Sequence, residues 1–437
     1  MTKHVRIIGF VGLMLIARLL VAQTLTRQVA PVLLAGNPES VGMSSERLGR
    51  IDGVIQDYIQ KNRFPGVTAI IVRNGKIVYH KAFGLSDIEN KVPMTEESIF
   101  RIASMTKAIT SLAVMMLYEE GKIMLDDPVS KYIAEFAKPT VLDQFDRQDS
   151  SYTTIPAKRE ITIRHLLTHT SGLNYNVIAS DDRIKAIYAK AGIIDAFTTD
   201  NLRVYSTIKK LAKLPLQHQP GEKWTYGLNT DVLGVVVENV SGMRLNDFFQ
   251  KRIFNPLGMK DTYFYLPTSQ KSRLVPLYGE DKEKGLVKLK KSDLVVNPDY
   301  PIVGAGTYFS GGGGLSSTAY DYAVFLQMLL NGGSYNGKRL LSRKTVVLFS
   351  NTNQSGTLFP DPHAYFSLGF SVVNEAGRSA GLGSVGSFSW GGAFSTYYFA
   401  DPKEKICAVL MKQMWPTSYG GELDTKFHTL IYQALDD

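Results

Sequence analysis

Apolar residues recur at helical spacing at Leu48, Ile51, Ile55, Tyr58 and Ile59, just after Ser44 and Ser45, either of which can cap a helix. The pattern predicts a helix over residues 46–61 with one face on a core. Val67 to Arg73 and Lys76 to Phe83 are β-rich runs joined by Asn74-Gly75. That dipeptide adopts positive φ readily and suits a tight primed turn, so the two runs predict an antiparallel hairpin. Over residues 104–120, Ile109, Leu112, Ala113, Met116 and Leu117 form one stripe that stops at Gly121, which predicts a helix with a buried face. Asp126-Asp127-Pro128 then breaks the chain.

From about 130 to 300 the pattern turns to helical pieces, such as Ile163 to Thr168 and Asp231 to Val240, between polar or Gly/Pro-containing loops. After the Gly311 to Gly314 run a helix is predicted over Ala319 to Leu330. Strands follow near Leu368 to Val373, Ser387 to Trp390, Thr396 to Ala400 and Ile406 to Met411, with Asp401-Pro402-Lys403-Glu404 as a turn. Leu423 to Leu435 reads as a closing helix. The order predicts a mixed α/β fold of the α+β type: an antiparallel sheet flanked by helices, drawn from residues about 40–130 and 300–437, and interrupted by a mostly helical lobe over about 131–299.

Composition narrows this little further. The 437 residues are 44% hydrophobic and 20% charged, as in ordinary globular proteins. Of the net charge of +9, three units come from Lys3, Arg6 and Arg18, and elsewhere lysines alternate with acids as in Asp281-Lys282-Glu283-Lys284. No basic stripe points to nucleic acid. Lys3, His4 and Arg6 precede an apolar stretch from Ile7 to Ala22, which reads as a secretory signal peptide over residues 1–22, leaving a folded domain over residues 40–437 in a periplasmic or secreted location. An uncleaved anchor is the alternative, although the stretch barely reaches spanning length. Cys407, the one cysteine, excludes an internal disulfide and reads as a small buried hydrophobe in the run Ile406 to Met411.

The chemistry concentrates at Ser104-Met105-Thr106-Lys107, where serine and lysine lie one helical turn apart at the start of an apolar helix. A serine hydroxyl is a weak nucleophile until a neighbour takes its proton, and a lysine can do so once desolvation disfavours its charged form. The helix N-terminus adds backbone donors for developing negative charge. Ser206-Thr207-Ile208-Lys209 repeats the spacing, but in an amphipathic helix that leaves its serine solvated.

The surrounding motifs resemble the penicillin-recognising serine hydrolases, the group of class C β-lactamases, D-alanyl-D-alanine carboxypeptidases and family VIII carboxylesterases. The resemblance is carried in order by Phe100 to Lys107, Ile163-Arg164-His165-Leu166-Leu167-Thr168-His169-Thr170-Ser171-Gly172-Leu173, Pro220 to Tyr226, Asp231 to Gly234, Asn255 to Met259, the glycine run before Leu315-Ser316-Ser317, and Trp390-Gly391-Gly392. It implies a β-lactamase/penicillin-binding-protein-like fold with Ser104 as nucleophile, Lys107 as its proton acceptor or electrostatic partner, and Tyr226 as second general base. A tyrosine keeps its proton until about pH 10, so that role requires a cation such as Lys107 or a concerted relay. The resemblance further places the oxyanion between the N–H groups of Ser104 and Ala393, beside Gly391 and Gly392, and implies neither cofactor nor metal.

Two departures separate the chain from the lactamases. The asparagine expected two residues after the tyrosine is Leu228, with Asn229 one later, and the lysine that would meet a lactam carboxylate is replaced by Trp390. Trp390 cannot pair with an anion but can cover an apolar acyl or alcohol group. Both changes imply small neutral esters as substrates, the pattern of family VIII. A β-lactamase or D-amino-acid peptidase is the alternative enzyme, and a silent wall-peptide binder or scaffold the alternative of another class. Gly381-Leu382-Gly383-Ser384-Val385-Gly386 matches a dinucleotide fingerprint, but a short strand follows it, so it reads as a loop. His165 and His169 have helical metal-ligand spacing, yet the family uses this stretch structurally.

Overall fold

The structure, a computed structural model, describes residues 32–290, 297–381 and 383–437. The N-terminal apolar segment and Leu382 of the glycine loop lie outside them. Nine strands form the main sheet: β1 (Leu34–Ala35), β2 (Gly66–Arg73), β3 (Lys76–Asp87), β4 (Val92–Pro93), β5 (Ala364–Phe366), β6 (Ser371–Val373), β7 (Phe388–Gly392), β8 (Thr396–Asp401) and β9 (Ile406–Met411). Their order is β1-β3-β2-β9-β8-β7-β6-β5, with β4 beside β3, so strands from both ends of the chain meet at the β2–β9 pairing. Every pairing is antiparallel except that of the short β1 with β3. Asn74 (φ 51°) and Gly75 (φ 75°) turn the β2–β3 hairpin as their chemistry requires.

The flanking helices are α1 (Ser45–Gln60), α2 (Thr106–Glu119), α3 (Ile163–Leu167), α4 (Asn229–Ser241), α5 (Ala319–Leu330) and α6 (Gly420–Gln433), with further short helices in the middle lobe. Strands β2 and β9 are buried on both faces, which is why they read as continuous apolar runs rather than alternating ones. Val67, Ala69, Ile71, Ala408 and Leu410 pack with Ile51, Ile55, Phe427 and Ile431 of α1 and α6. Ile70, Val72, Cys407 and Val409 face the other way, onto the core that contains α2 and α5. Cys407 is fully buried there, and burial pushes its thiol pKa up.

The sequence pattern is corrected in three places. Helix α2 is buried all round from Thr106 to Leu117 instead of on one stripe, because α4 of the middle lobe packs against it as well. The lobe also carries two hairpins, Thr140–Phe145 with Tyr152–Pro156 and Tyr278–Asp281 with Gly285–Lys288. Tyr152–Pro156 is exposed along its length and so has no period-two apolar signal. The charged run Asp281 to Lys284 is a turn, in which Asp281 Oδ1 accepts the Glu283 and Lys284 N–H groups at 2.9 and 2.8 Å. Finally, the strand predicted over Leu368 to Val373 is confined to β6, and β5 forms the sheet edge beyond it.

Candidate active site

Ser104 sits in a single 3₁₀ turn, Ala103–Met105, that leads directly into α2. Ala103 holds φ at 42°, an unfavourable left-handed conformation for a residue with a Cβ, and it aims the turn carrying Ser104 into the cleft. The end of β7 fixes this turn from the other side. A Cβ on Gly392 would lie 2.4 Å from the Ile102 carbonyl oxygen and 2.2 Å from Thr396 Oγ1, so only glycine lets β7 approach the backbone that precedes the serine. Gly392 therefore acts through its lack of a side chain, while Trp390, Gly391 and Ala393 line the cleft with Ser104.

Lys107 is 3% exposed. Its Nζ donates to Ser104 Oγ at 3.3 Å, to the Tyr175 hydroxyl at 2.7 Å and to the Gly312 carbonyl at 2.6 Å. Those three acceptors account for all three N–H bonds of an ammonium. Tyr226 meets the lysine differently, with Nζ 4.7 Å from its ring centroid, while its hydroxyl accepts a hydrogen bond from Trp390 Nε1 at 3.3 Å. Trp390 is thus a donor to Tyr226 as well as an apolar wall.

Tyr175 was not singled out from the sequence. It stands two residues beyond the Thr168 to Leu173 motif, and its neighbourhood depends on backbone approaches with no local periodic signal. A Cβ on Gly172 (φ 89°) would lie 2.4 Å from the His218 carbonyl, and one on Gly227 would lie 2.3 Å from the Leu173 carbonyl. These two glycines bring the Tyr175 and Tyr226 segments together, with their rings 5.4 Å apart. Burial holds the Tyr175 hydroxyl well above its ordinary pKa, reinforced by nearby Tyr226, Asp231 and Asp195, so it is a neutral partner for the lysine. Tyr175→Phe removes one charge-assisted bond, worth about 1.5–3 kcal/mol, and should lower kcat by roughly 10- to 150-fold with little change in KM; steady-state kinetics on one ester checks this.

The other flagged residues have defined places. Leu228 is fully buried, and Asn229 accepts from Ser171 Oγ at 2.5 Å and donates to His169 Nδ1 at 2.9 Å, which commits its amide to the scaffold. His169 packs against Tyr226 at 4.8 Å and Trp224 at 5.8 Å, and burial, with Lys107 adding to it, holds its pKa well below the ordinary value. His165 caps α3, its Nδ1 accepting the Thr162 N–H at 3.2 Å. Ser206 is exposed and donates to the Arg203 carbonyl at 2.7 Å.

Two recesses meet at Ser104. One is a largely apolar pocket whose walls include Val177, Ala196, Phe197, Phe394 and Trp415, with Tyr175 and Asp195 also in its lining. The second is more open and is lined by Tyr226, Trp390 and Gly391. Ser104, Ile178 and Ala393 border both.

This arrangement is that of a serine hydrolase of the penicillin-recognising group, and the comparisons with known proteins agree. The Beta-lactamase family model matches residues 51–429, and the chain belongs to that family. Protein Rv1367c of Mycobacterium tuberculosis is 34% identical over 375 residues, covering 83% of this chain and 89% of that protein. Esterase EstB of Burkholderia gladioli is 28% identical, covering 88% and 94%. Among solved structures, EstCE1, a hydrolase with promiscuous acyltransferase activity, superposes with a TM-score of 0.74 at 28% identity, covering 88% of this chain and 98% of that one. Simvastatin synthase LovD from Aspergillus terreus shares the fold, with a TM-score of 0.73 at 23% identity over 89% of this chain and 98% of that one. Within the superfamily the chain lies close to the family VIII esterases.

Proposed function

We propose that the protein cleaves small neutral carboxylic esters through an acyl-enzyme on Ser104. The observation that carries this is the Lys107 Nζ contact with Ser104 Oγ at 3.3 Å, made at the mouth of an apolar pocket. In the reacting form a neutral Lys107 accepts the Ser104 proton while its two remaining N–H bonds stay on Tyr175 and Gly312. Ser104 Oγ bonds to the ester carbonyl carbon, and the Ser104 and Ala393 N–H groups receive the oxyanion. Collapse breaks the bond to the alkoxide, which takes a proton from the Tyr226 hydroxyl. Water then attacks the acyl group by the same route in reverse, restoring Ser104. Negative charge developing on the Tyr226 oxygen is met by the Trp390 N–H and by Lys107.

The proton donor also sorts the two recesses. The departing alcohol must lie near Tyr226, so it occupies the open recess by Trp390 and Gly391, and the acyl chain fills the pocket walled by Phe197, Phe394 and Trp415. An amide-reading substrate has less to hold it, because Asn229 is bonded to Ser171 and His169. A panel of nitrophenyl esters of increasing acyl length tests the reading. Wild type should hydrolyse the short esters, and Phe197→Ala should shift the preference to longer acyl chains; a wild type inert to the whole panel overturns it. The export inferred from residues 1–22 remains a proposal as well: mass spectrometry of the exported fraction should find a chain starting near Gln23, and an intact Met1 in the membrane fraction overturns it.

A further inference from the structure

A buried carboxylate lies one residue behind the site. Asp231, in the first turn of α4, is 1% exposed. Its Oδ1 accepts from Ser310 Oγ at 2.5 Å and from the Gly312 N–H at 3.3 Å, and the carbonyl of that same Gly312 holds Lys107 Nζ at 2.6 Å. Asp231 Oδ2 has no hydrogen-bond partner. A Cβ on Gly312 would lie 2.2 Å from that oxygen, so the glycine run is what lets the loop close over the carboxylate.

An ionised carboxylate with an unused oxygen is costly in a protein interior unless a nearby charge compensates it. The three hydrogen-bond partners of Lys107 are all neutral oxygens, and none is a carboxylate. A carboxylate in direct contact would occupy an N–H of the lysine and hold the proton there. One placed behind the Gly312 backbone stabilises the cation and leaves its contacts with Ser104 and Tyr175 free. We propose that Asp231 is a positioning residue for Lys107, orienting the Gly312 carbonyl and supplying the through-space counter-charge of the lysine. This rests on the roles given above to Ser104 and Lys107.

The groups that act on Asp231 have opposing effects. Burial pushes its pKa up to about 6, while Ser310, Lys107 and the Gly312 N–H favour the ionised form and Asp195 opposes it. Tyr175, Tyr300 and Tyr308 also sense its charge, and burial keeps all three protonated. Asp195 has both oxygens on the Asn176 and Val177 N–H groups at 2.7 Å, which ties it to the pocket wall.

The test is the rate at which a fluorophosphonate inactivates the full chain, measured against pH, since this reports on Ser104 whatever the natural ester is. Asp231→Asn keeps an oxygen facing Ser310 and Gly312 but removes the charge. It should leave the ester KM and the thermal midpoint near wild type. The limb of the profile carried by Lys107 should move to lower pH by about one unit, a tenfold change in rate at fixed pH on that limb. Ser310→Ala keeps the carboxylate but removes a bond that favours its ionised form, so the Lys107 limb should move in the same direction, to lower pH, by a smaller amount. Profiles of both variants that superimpose on wild type overturn the inference. A wild type that never labels overturns the Ser104 assignment, and the inference with it.

Discussion

Ser104→Ala and Lys107→Met each lower kcat/KM for a short neutral ester by on the order of 10³-fold or more, while Ser206→Ala leaves it unchanged. Both serines stand three residues before a lysine, so spacing alone cannot separate them. Their surroundings do. Lys107 is enclosed by Ser104, Tyr175 and Gly312, whereas Lys209 is an exposed side chain paired with Glu135 at 2.8 Å. A solvated ion pair of that kind has no reason to surrender a proton to a serine. Losses at Ser104 and Lys107 should not add in the double variant, because the two groups act on one proton. Equal losses at Ser104 and Ser206 would contradict the assignment.

Short neutral esters should be cleaved at least roughly 10- to 150-fold faster, in kcat/KM, than a cephalosporin. A missing charge-assisted bond to the lactam carboxylate, worth about 1.5–3 kcal/mol, penalises the lactam and leaves the ester untouched. Trp390 stands where that cation would be, and its Nε1 is directed at the Tyr226 hydroxyl. Trp390→Lys should therefore narrow the gap from both sides. It improves the KM of the lactam by offering a cation, and it lowers the ester kcat by removing the donor to Tyr226. Comparing a butyrate ester with a cephalosporin in both proteins checks this; a wild type that prefers the cephalosporin would contradict it.

The β2–β3 hairpin, helix α1 and the Ser104–Lys107 pair were legible because each is encoded within a few residues: a turn dipeptide, an apolar stripe, a one-turn spacing. The strand Ala364–Phe366 was not, since three residues at a sheet edge give no measurable period. Tyr175 and Asp231 escaped for a different reason. Tyr175 has no distinctive local pattern and Asp231 is legible only as part of the Asp231 to Gly234 motif; their placement depends on Gly172, Gly227 and Gly312, which permit close approaches between segments far apart in sequence. Asn229 was placed one residue off its expected position in the sequence, and only its bonds to Ser171 and His169 show that it belongs to the scaffold. Trp390 reads from the sequence as an apolar replacement for a cation, and its hydrogen bond to Tyr226 is visible only in the geometry.

Reaction of the full chain with a substoichiometric series of a fluorophosphonate, followed by peptide mapping and residual ester hydrolysis, decides whether Ser104 is the nucleophile. Activity should fall in proportion to the phosphonate bound, reaching zero at one per chain, with the modification on Ser104 and none on the Ser104→Ala variant. Full labelling of a different residue, or ester hydrolysis that survives complete modification of Ser104, would contradict the mechanism.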